Sequence, residues 1–228
     1  MRSFCVAILI FSLVACSKKQ EGDNTQTQET PAASPSVAES TTDSSQDISQ
    51  IEDPARTEWQ NPDFVLDELG DLSQKTVADI GAGSGYFSFK LSQRAKKVIA
   101  LDIDPRALEY IEEQKEIVGD WSANIETRLT PPDVPNLVEA EADVVLIVNT
   151  YGFIPERSNY LTRLLNGIAD GGQLVIIDFK SGDIPVGPSD EFKQDPKSVV
   201  RELRNVGFKR VKRNEESLQY QFIITAEK

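Results

Sequence analysis

Residues 77–104 read VADIGAGSGYFSFKLSQRAKKVIALDID. Val77-Ala78-Asp79-Ile80 has the character of a short buried strand. Gly81-Ala82-Gly83-Ser84-Gly85 is too glycine-rich for the interior of a helix or strand and reads as a tight turn. Tyr86 to Leu91 then opens an amphipathic helix, with Phe87 and Leu91 on one face and Phe89 beside it. A second apolar run, Val98-Ile99-Ala100-Leu101, ends at Asp102. Strand, glycine turn, helix, strand and acid in that order make a βαβ unit of nucleotide-binding type.

The glycine spacing narrows the ligand. Dinucleotide sites use G-x-G-x-x-G, where the backbone approaches a pyrophosphate. Here Gly81, Gly83 and Gly85 give G-x-G-x-G, and position 86 is Tyr. An acid, Asp79, leads the turn. A carboxylate beside the ligand opposes a pyrophosphate and suits a cation such as S-adenosylmethionine (SAM), with its amino group and sulfonium. Asp102 lies seventeen residues after Gly85, where an acid at a strand end can take ribose hydroxyls.

D-I-G-A-G-S-G-Y followed by A-L-D-I-D resembles the class I SAM-dependent methyltransferases. The resemblance implies a Rossmann-like α/β fold, a seven-stranded, mostly parallel sheet with helices on both faces. It implies SAM over the turn from Gly81 through Ala82 and Gly83 to Gly85, Asp102 on the ribose and Ile103 against the adenine. Other doubly wound enzymes also use such a turn, so that reading stays open.

The chain has 228 residues, 39% of them hydrophobic, and a net charge of −13. That balance argues against nucleic acid as a partner, because phosphate binding needs a cationic surface, and against a polybasic membrane patch. There is no histidine, which excludes a histidine base or metal ligand. The two cysteines, Cys5 and Cys16, precede the folded part, so it has no thiol nucleophile, and no metal is expected.

Residues 1–15 have the proportions of a secretory signal, with Arg2 before an apolar run from Phe4 to Ala15. Leu13-Val14-Ala15-Cys16 resembles the lipobox of bacterial lipoproteins. That resemblance implies cleavage before Cys16, lipidation of its sulfur and residence in the cell envelope. Ser17 rather than Asp at the next position favours the outer membrane. An uncleaved anchor or a misassigned start are the alternatives. Residues 16–50 form a polar Ser, Thr, Gln and acidic segment with too little to bury, expected as a disordered tether reaching roughly 30–35 Å. The methyltransferase-like domain is expected over 51–228.

Within that domain, Asp53-Pro54 and Pro62 are expected helix starts, and Gly70 a stop. The run from Arg56 through Trp59 to Pro62 resembles a segment that covers the cofactor pocket in one group of small bacterial methyltransferases; equally, Trp59 is a packing residue and Arg56 a surface charge. Asp104 reads as the cap of a helix from Arg106 to Val118, Trp121 as core or pocket wall, and Ile125 to Leu129 as a strand. The stiff loop Thr130 to Pro135 lies where this fold contacts the adenine edge, with Asp133 a partner for its amino group. Ala142 to Val148 reads as a strand buried on both faces. Asn149 and Tyr151 follow at its carboxyl end, where open α/β sheets bind ligands. In the group resembled two histidines often follow this Tyr; here Gly152 and Phe153 stand there. A helix from Arg157 to Ala169, a strand from Gln173 to Phe179, a loop over 182–188 lining the pocket mouth, a helix from Ser198 to Val206, and strands Phe208–Lys212 and Leu218–Ala226 complete the expectation.

Methyl transfer from SAM is an in-line displacement that needs alignment more than covalent help. Where the acceptor needs a base, Tyr151, Asp178 and Lys180 are the candidates near the strand ends. The cofactor residues expected are Asp79, Gly81, Ala82, Gly83, Gly85, Asp102, Ile103 and Asn149. A small-molecule or lipid-borne acceptor fits the acidic chain. A lipoprotein signal would place the domain away from cytoplasmic SAM, so a non-catalytic, membrane-tethered module that kept the fold is the alternative. An NAD-linked oxidoreductase is weaker, since the third glycine of its fingerprint is missing.

Overall fold

The computed structural model describes residues 56–228. The expected signal, the Cys16 attachment, the tether and the Asp53-Pro54 helix start lie outside them. Two short helices, α1 (Arg56–Gln60) and α2 (Pro62–Glu68), lead into β1 (Thr76–Ile80), α3 (Tyr86–Ser92), β2 (Lys97–Asp102) and α4 (Pro105–Val118). Then come β3 (Ile125–Leu129), β4 (Ala142–Val148), α5 (Arg157–Gly167), β5 (Ile168–Phe179), α6 (Pro196–Val206), β6 (Lys209–Asn214) and β7 (Gln221–Glu227).

The strands form one seven-stranded sheet in the order β3-β2-β1-β4-β5-β7-β6. The pairs from β3 through β5 are parallel, and β7 runs antiparallel to both its neighbours. The order reverses between β1 and β4, so the crevice for a ligand opens at their carboxyl ends.

Strand alternation explains the two cores. Val144, Leu146 and Val148 of β4 face one apolar layer with Leu66 of α2, Phe87 and Leu91 of α3, and Leu108 and Ile111 of α4. Val145 and Ile147 face the other, with Tyr160, Leu161 and Leu164 of α5 and Val199 and Leu203 of α6. A central strand covered on both faces must be apolar throughout, which is why β4 reads as an unbroken run. Proline at N1 and a capping side chain start three of the helices: Asn61 on α2, Asp104 on α4 and Asp195 on α6.

Several boundaries differ from the sequence reading. α5 ends at Gly167, not Ala169, because Ile168 already pairs with Ala142 and opens β5. Asp170-Gly171-Gly172 therefore lies in a bulge, where the register moves from Ala142–Ile168 to Val144–Gln173. β6 and β7 start later than expected, and Leu218 is a buried residue of the turn between them. Trp121 is neither core nor pocket wall. It is 44% exposed in a 3₁₀ turn, with its ring edge-on to Phe89.

Candidate cofactor and acceptor site

The three glycines of the loop after β1 all have positive φ, for three different reasons. At Gly81 (φ 75°) an added Cβ would stand 2.2 Å from Thr150 Oγ1, so the end of β4 packs directly on this turn. At Gly85 (φ 82°) a Cβ would press on Phe89 and Ile111, so α3 lies too close for a side chain. At Gly83 (φ 54°) a Cβ would meet nothing within 4 Å. That open backbone lines the cavity, where a ligand can approach the main chain. The Gly81 and Ala82 amides donate to the Leu101 carbonyl at 2.8 and 3.1 Å, tying the loop to β2.

Two cavities adjoin there, sharing Gly81 and Thr150. The first, about 230 Å³, is walled by Ile80, Asp102, Ile103, Thr130, Pro131, Pro132, Phe153, Ile154 and Tyr160. Ile103 is 61% exposed, an apolar surface beside an acid at a strand end. Asp102 accepts the Gly83 amide at 2.8 Å on Oδ2 and the Asp104 amide at 2.9 Å on Oδ1, which fixes its carboxylate. Each oxygen retains accepting capacity for ribose hydroxyls.

The second cavity, about 310 Å³, is lined by Arg56, Trp59, Ala82, Gly83, Ser84, Val148, Asn149 and Phe179. Ser84 Oγ and Trp59 Nε1 are buried there without a hydrogen-bond partner. Unpaired buried donors at a cavity are costly unless a ligand satisfies them. The Arg56 guanidinium lies 4.1 Å over the Tyr86 ring, and its Nε donates to Gln60 Oε1 at 2.6 Å. Trp59 packs on Phe179 at 5.6 Å between ring centroids. The segment before β1 thus forms a wall of this cavity, and the packing and covering roles of Trp59 coincide.

Asp79 does not line either cavity. It is 3% exposed beneath the loop and accepts the Ser88 hydroxyl at 2.6 Å. Burial raises its pKa to about 6, against the Ser88 hydrogen bond and the Arg56 charge. It therefore ties β1 to α3, beneath the loop that the sequence reading had it lead. Asn149 does line the second cavity, in a left-handed conformation (φ 57°), with its Oδ1 accepting Gln221 Nε2 from β7.

The three candidate bases are all engaged elsewhere. The Tyr151 hydroxyl is buried and donates to Glu202 of α6 at 2.5 Å, and burial raises its pKa further from neutrality. Asp178 is 2% exposed and accepts the Phe179 and Gly152 amides at 2.7 and 3.2 Å. Burial raises it to about 6, opposed by those backbone bonds. Lys180 Nζ donates to the Leu218 and Gln219 carbonyls of the β6–β7 turn. None of the three lines either cavity. Asp133 is exposed and does not line the first cavity, whose wall uses Thr130, Pro131 and Pro132 instead. The loop over 182–188 lines neither cavity, since the 189–193 turn carries Phe192 against Phe153, centroids 4.6 Å apart.

Sequence reasoning did not single out Ser84, Phe179 or Glu202. The first two sit in the glycine loop and at a strand carboxyl end, so position alone marks them. Glu202 meets Tyr151 across fifty-one positions, and no local pattern signals that.

Comparison with known proteins agrees with this geometry. Residues 78–176 match the methyltransferase domain family. The tRNA U34 carboxymethyltransferase of Cellvibrio japonicus is 30% identical over 138 residues, 57% of this chain and 42% of that protein. The ribosomal protein L11 methyltransferase of Photobacterium profundum is 32% identical over 133 residues, 55% of this chain and 42% of that protein. The chain thus matches less than half the length of these curated relatives. A SAM-dependent methyltransferase structure from Aquifex aeolicus superimposes with a TM-score of 0.73 at 28% identity, covering 79% of this chain and 96% of that one.

Proposed function

We propose that this chain, whose domain is a class I SAM-dependent methyltransferase domain, methylates a small or lipid-borne acceptor from a membrane-tethered position. The observation that carries the reading is the pair of cavities meeting at Gly81 and Thr150. One offers Asp102 and Ile103, which suit a ribose and an adenine. The other offers Arg56, Ser84 Oγ and Trp59 Nε1, which suit the carboxylate of an amino acid. A ligand with an adenosine end and an amino-acid end, such as SAM, fits that division, and its carboxylate could accept from the two orphaned donors.

SAM supplies an electrophilic methyl group on a sulfonium. The chain's own part is binding and alignment. Asp102, fixed by two backbone amides, positions the ribose; the open Gly83 backbone admits the ligand; Gly81 and Thr150 wall the point where the cavities meet, with Asn149 beside them in the second. Alignment of this kind can supply much of the rate for an in-line displacement. Among the ionisable residues lining the cavities only Asp102, Arg56 and Tyr160 occur, and burial raises Tyr160 away from neutrality. No side chain lining these two cavities is therefore assigned as a general base.

Incubation of the full chain with methyl-labelled SAM and, in parallel, small phenols and amines, a bacterial lipid extract, tRNA and ribosomal protein tests this. Label in the small-molecule or lipid fraction supports the reading; label in tRNA or protein alone overturns the acceptor class. A second reading, a tethered module that binds without turnover, is favoured by the structural engagement of Tyr151, Asp178 and Lys180. It predicts SAM binding without label in any fraction.

A further inference from the structure

From Asp195 to Asn214 stand seven Lys or Arg against two Asp or Glu, in a chain whose whole balance is 24 against 37. The segment is α6 and the edge strand β6. Lysines on an edge strand commonly guard against unwanted strand pairing, and that accounts for Lys209 and Lys212. It does not account for α6, where Lys197, Arg201 and Arg204 recur at helical spacing and are all exposed. The two elements converge on one concavity, lined by Lys197, Arg201, Arg204 and Arg213 around Val200 and Val211.

The charges on this face are only partly neutralised. Glu215 pairs with Arg213, and Glu227 of β7 pairs with Arg210. Asp195 caps α6 and lies near Arg201; Glu202 is held by Tyr151 and Arg157; Glu216 sits in the adjoining turn. Lys197, Lys209 and Lys212 take part in no ion pair among the described residues.

We propose that the α6–β6 face docks on an anionic phospholipid surface, so that the fold gathers the basic patch that the whole-chain charge argued against. The proposal is independent of the cofactor reading. Charge complementarity gives the attraction, and the Debye length of about 8–10 Å screens the acidic remainder of the domain from a bilayer meeting this face alone. The face presents no exposed aromatic on which a nucleobase could stack, since its one ring, Phe208, is buried; that favours headgroups over RNA. The lipobox-like Leu13-Val14-Ala15-Cys16, an expectation from the sequence alone, points to the same kind of surface.

The test uses the chain from Ser17 onward, so that neither the apolar run Phe4–Ala15 nor an acyl anchor contributes, in flotation with phosphatidylglycerol–phosphatidylcholine vesicles, with phosphatidylcholine vesicles alone, and with tRNA in a parallel retention assay. Binding to the mixed vesicles only, weakened by salt and reduced at least about tenfold by Arg201→Glu with Arg204→Glu, is expected. Lys96→Glu, outside the face, should leave binding intact, and Lys209→Gln with Lys212→Gln should weaken it while the thermal melt is unchanged. No preference for anionic vesicles, undiminished binding by the charge-reversed variant, or retention of tRNA without vesicle binding would overturn the proposal. SAM binding by the same samples separates its failure from failure of the cofactor reading.

Discussion

The ends of β1 and β2 and the ends of β4 and β5 lie side by side in one crevice, yet they are built differently. The first pair presents backbone: three positive-φ glycines, one open to the cavity, and a carboxylate fixed by two amides. The second pair presents side chains, with Val148, Asn149, Thr150 and Phe179 toward the second cavity and others turned away from it. Tyr151, Asp178 and Lys180 fasten the turn after β4 and the end of β5 to α6 and to the β6–β7 turn. The difference teaches that the first pair of strand ends is shaped by local chain geometry, whereas Tyr151, Asp178 and Lys180 in the second are held by partners elsewhere in the fold.

The contrast breaks most readily at its shared residue. Gly81→Ala forces a Cβ into Thr150 at positive φ, so SAM affinity should fall by at least about a hundredfold, with a stability loss of about 2–3 kcal/mol by denaturation. Asp102→Ala should weaken SAM at least about tenfold, with a smaller effect on stability, since it removes acceptors for two amides.

On the other side the effects should fall on stability, not turnover. Tyr151→Phe removes the donor to Glu202, and should cost about 1–3 kcal/mol in urea while leaving turnover within about threefold. A larger loss of turnover, with folding intact, would restore Tyr151 as a catalytic residue. Asp178 sharpens the same point through pH. Burial raises it to about 6 from an ordinary 3.8, so between those values the folded state holds a proton that the unfolded chain has released. Its contribution to stability is therefore present below about pH 4 and lost as pH rises through about 6. Against wild type, Asp178→Asn should gain about 2–3 kcal/mol between pH 4 and pH 7 in paired denaturation curves. Lys180→Met should have the smallest effect, about 1 kcal/mol, because its partners are carbonyls at a partly exposed turn.

The same division governs what could be read in advance. The glycine turn, Asp102 and Ile103 were legible because φ, reach and strand-end position are local properties. The apolar run of β4 gave the sheet's centre, and Asp104-Pro105 gave a helix cap. Which face of β1 carries Asp79 is not a local property; alternation turns it beneath the loop to Ser88. The partners of Tyr151 and Lys180 lie 51 and 38 positions away, beyond any local pattern. Trp121 followed the rule that tryptophan is buried, but a turn after α4 leaves it against Phe89 at the surface. The α5–β5 boundary was lost because the bulge is made by pairing to Ala142, not by local propensity.

The central claim is that the Gly81–Gly85 loop and Asp102 form a SAM site. Calorimetric titration of SAM, S-adenosylhomocysteine and NAD into the full chain and its Asp102→Ala variant tests it most directly. The account predicts dissociation constants in the micromolar range for the first two, weakened at least about tenfold by the substitution, and no heat from NAD. Absence of binding by SAM and S-adenosylhomocysteine, or affinity indifferent to Asp102, would contradict it.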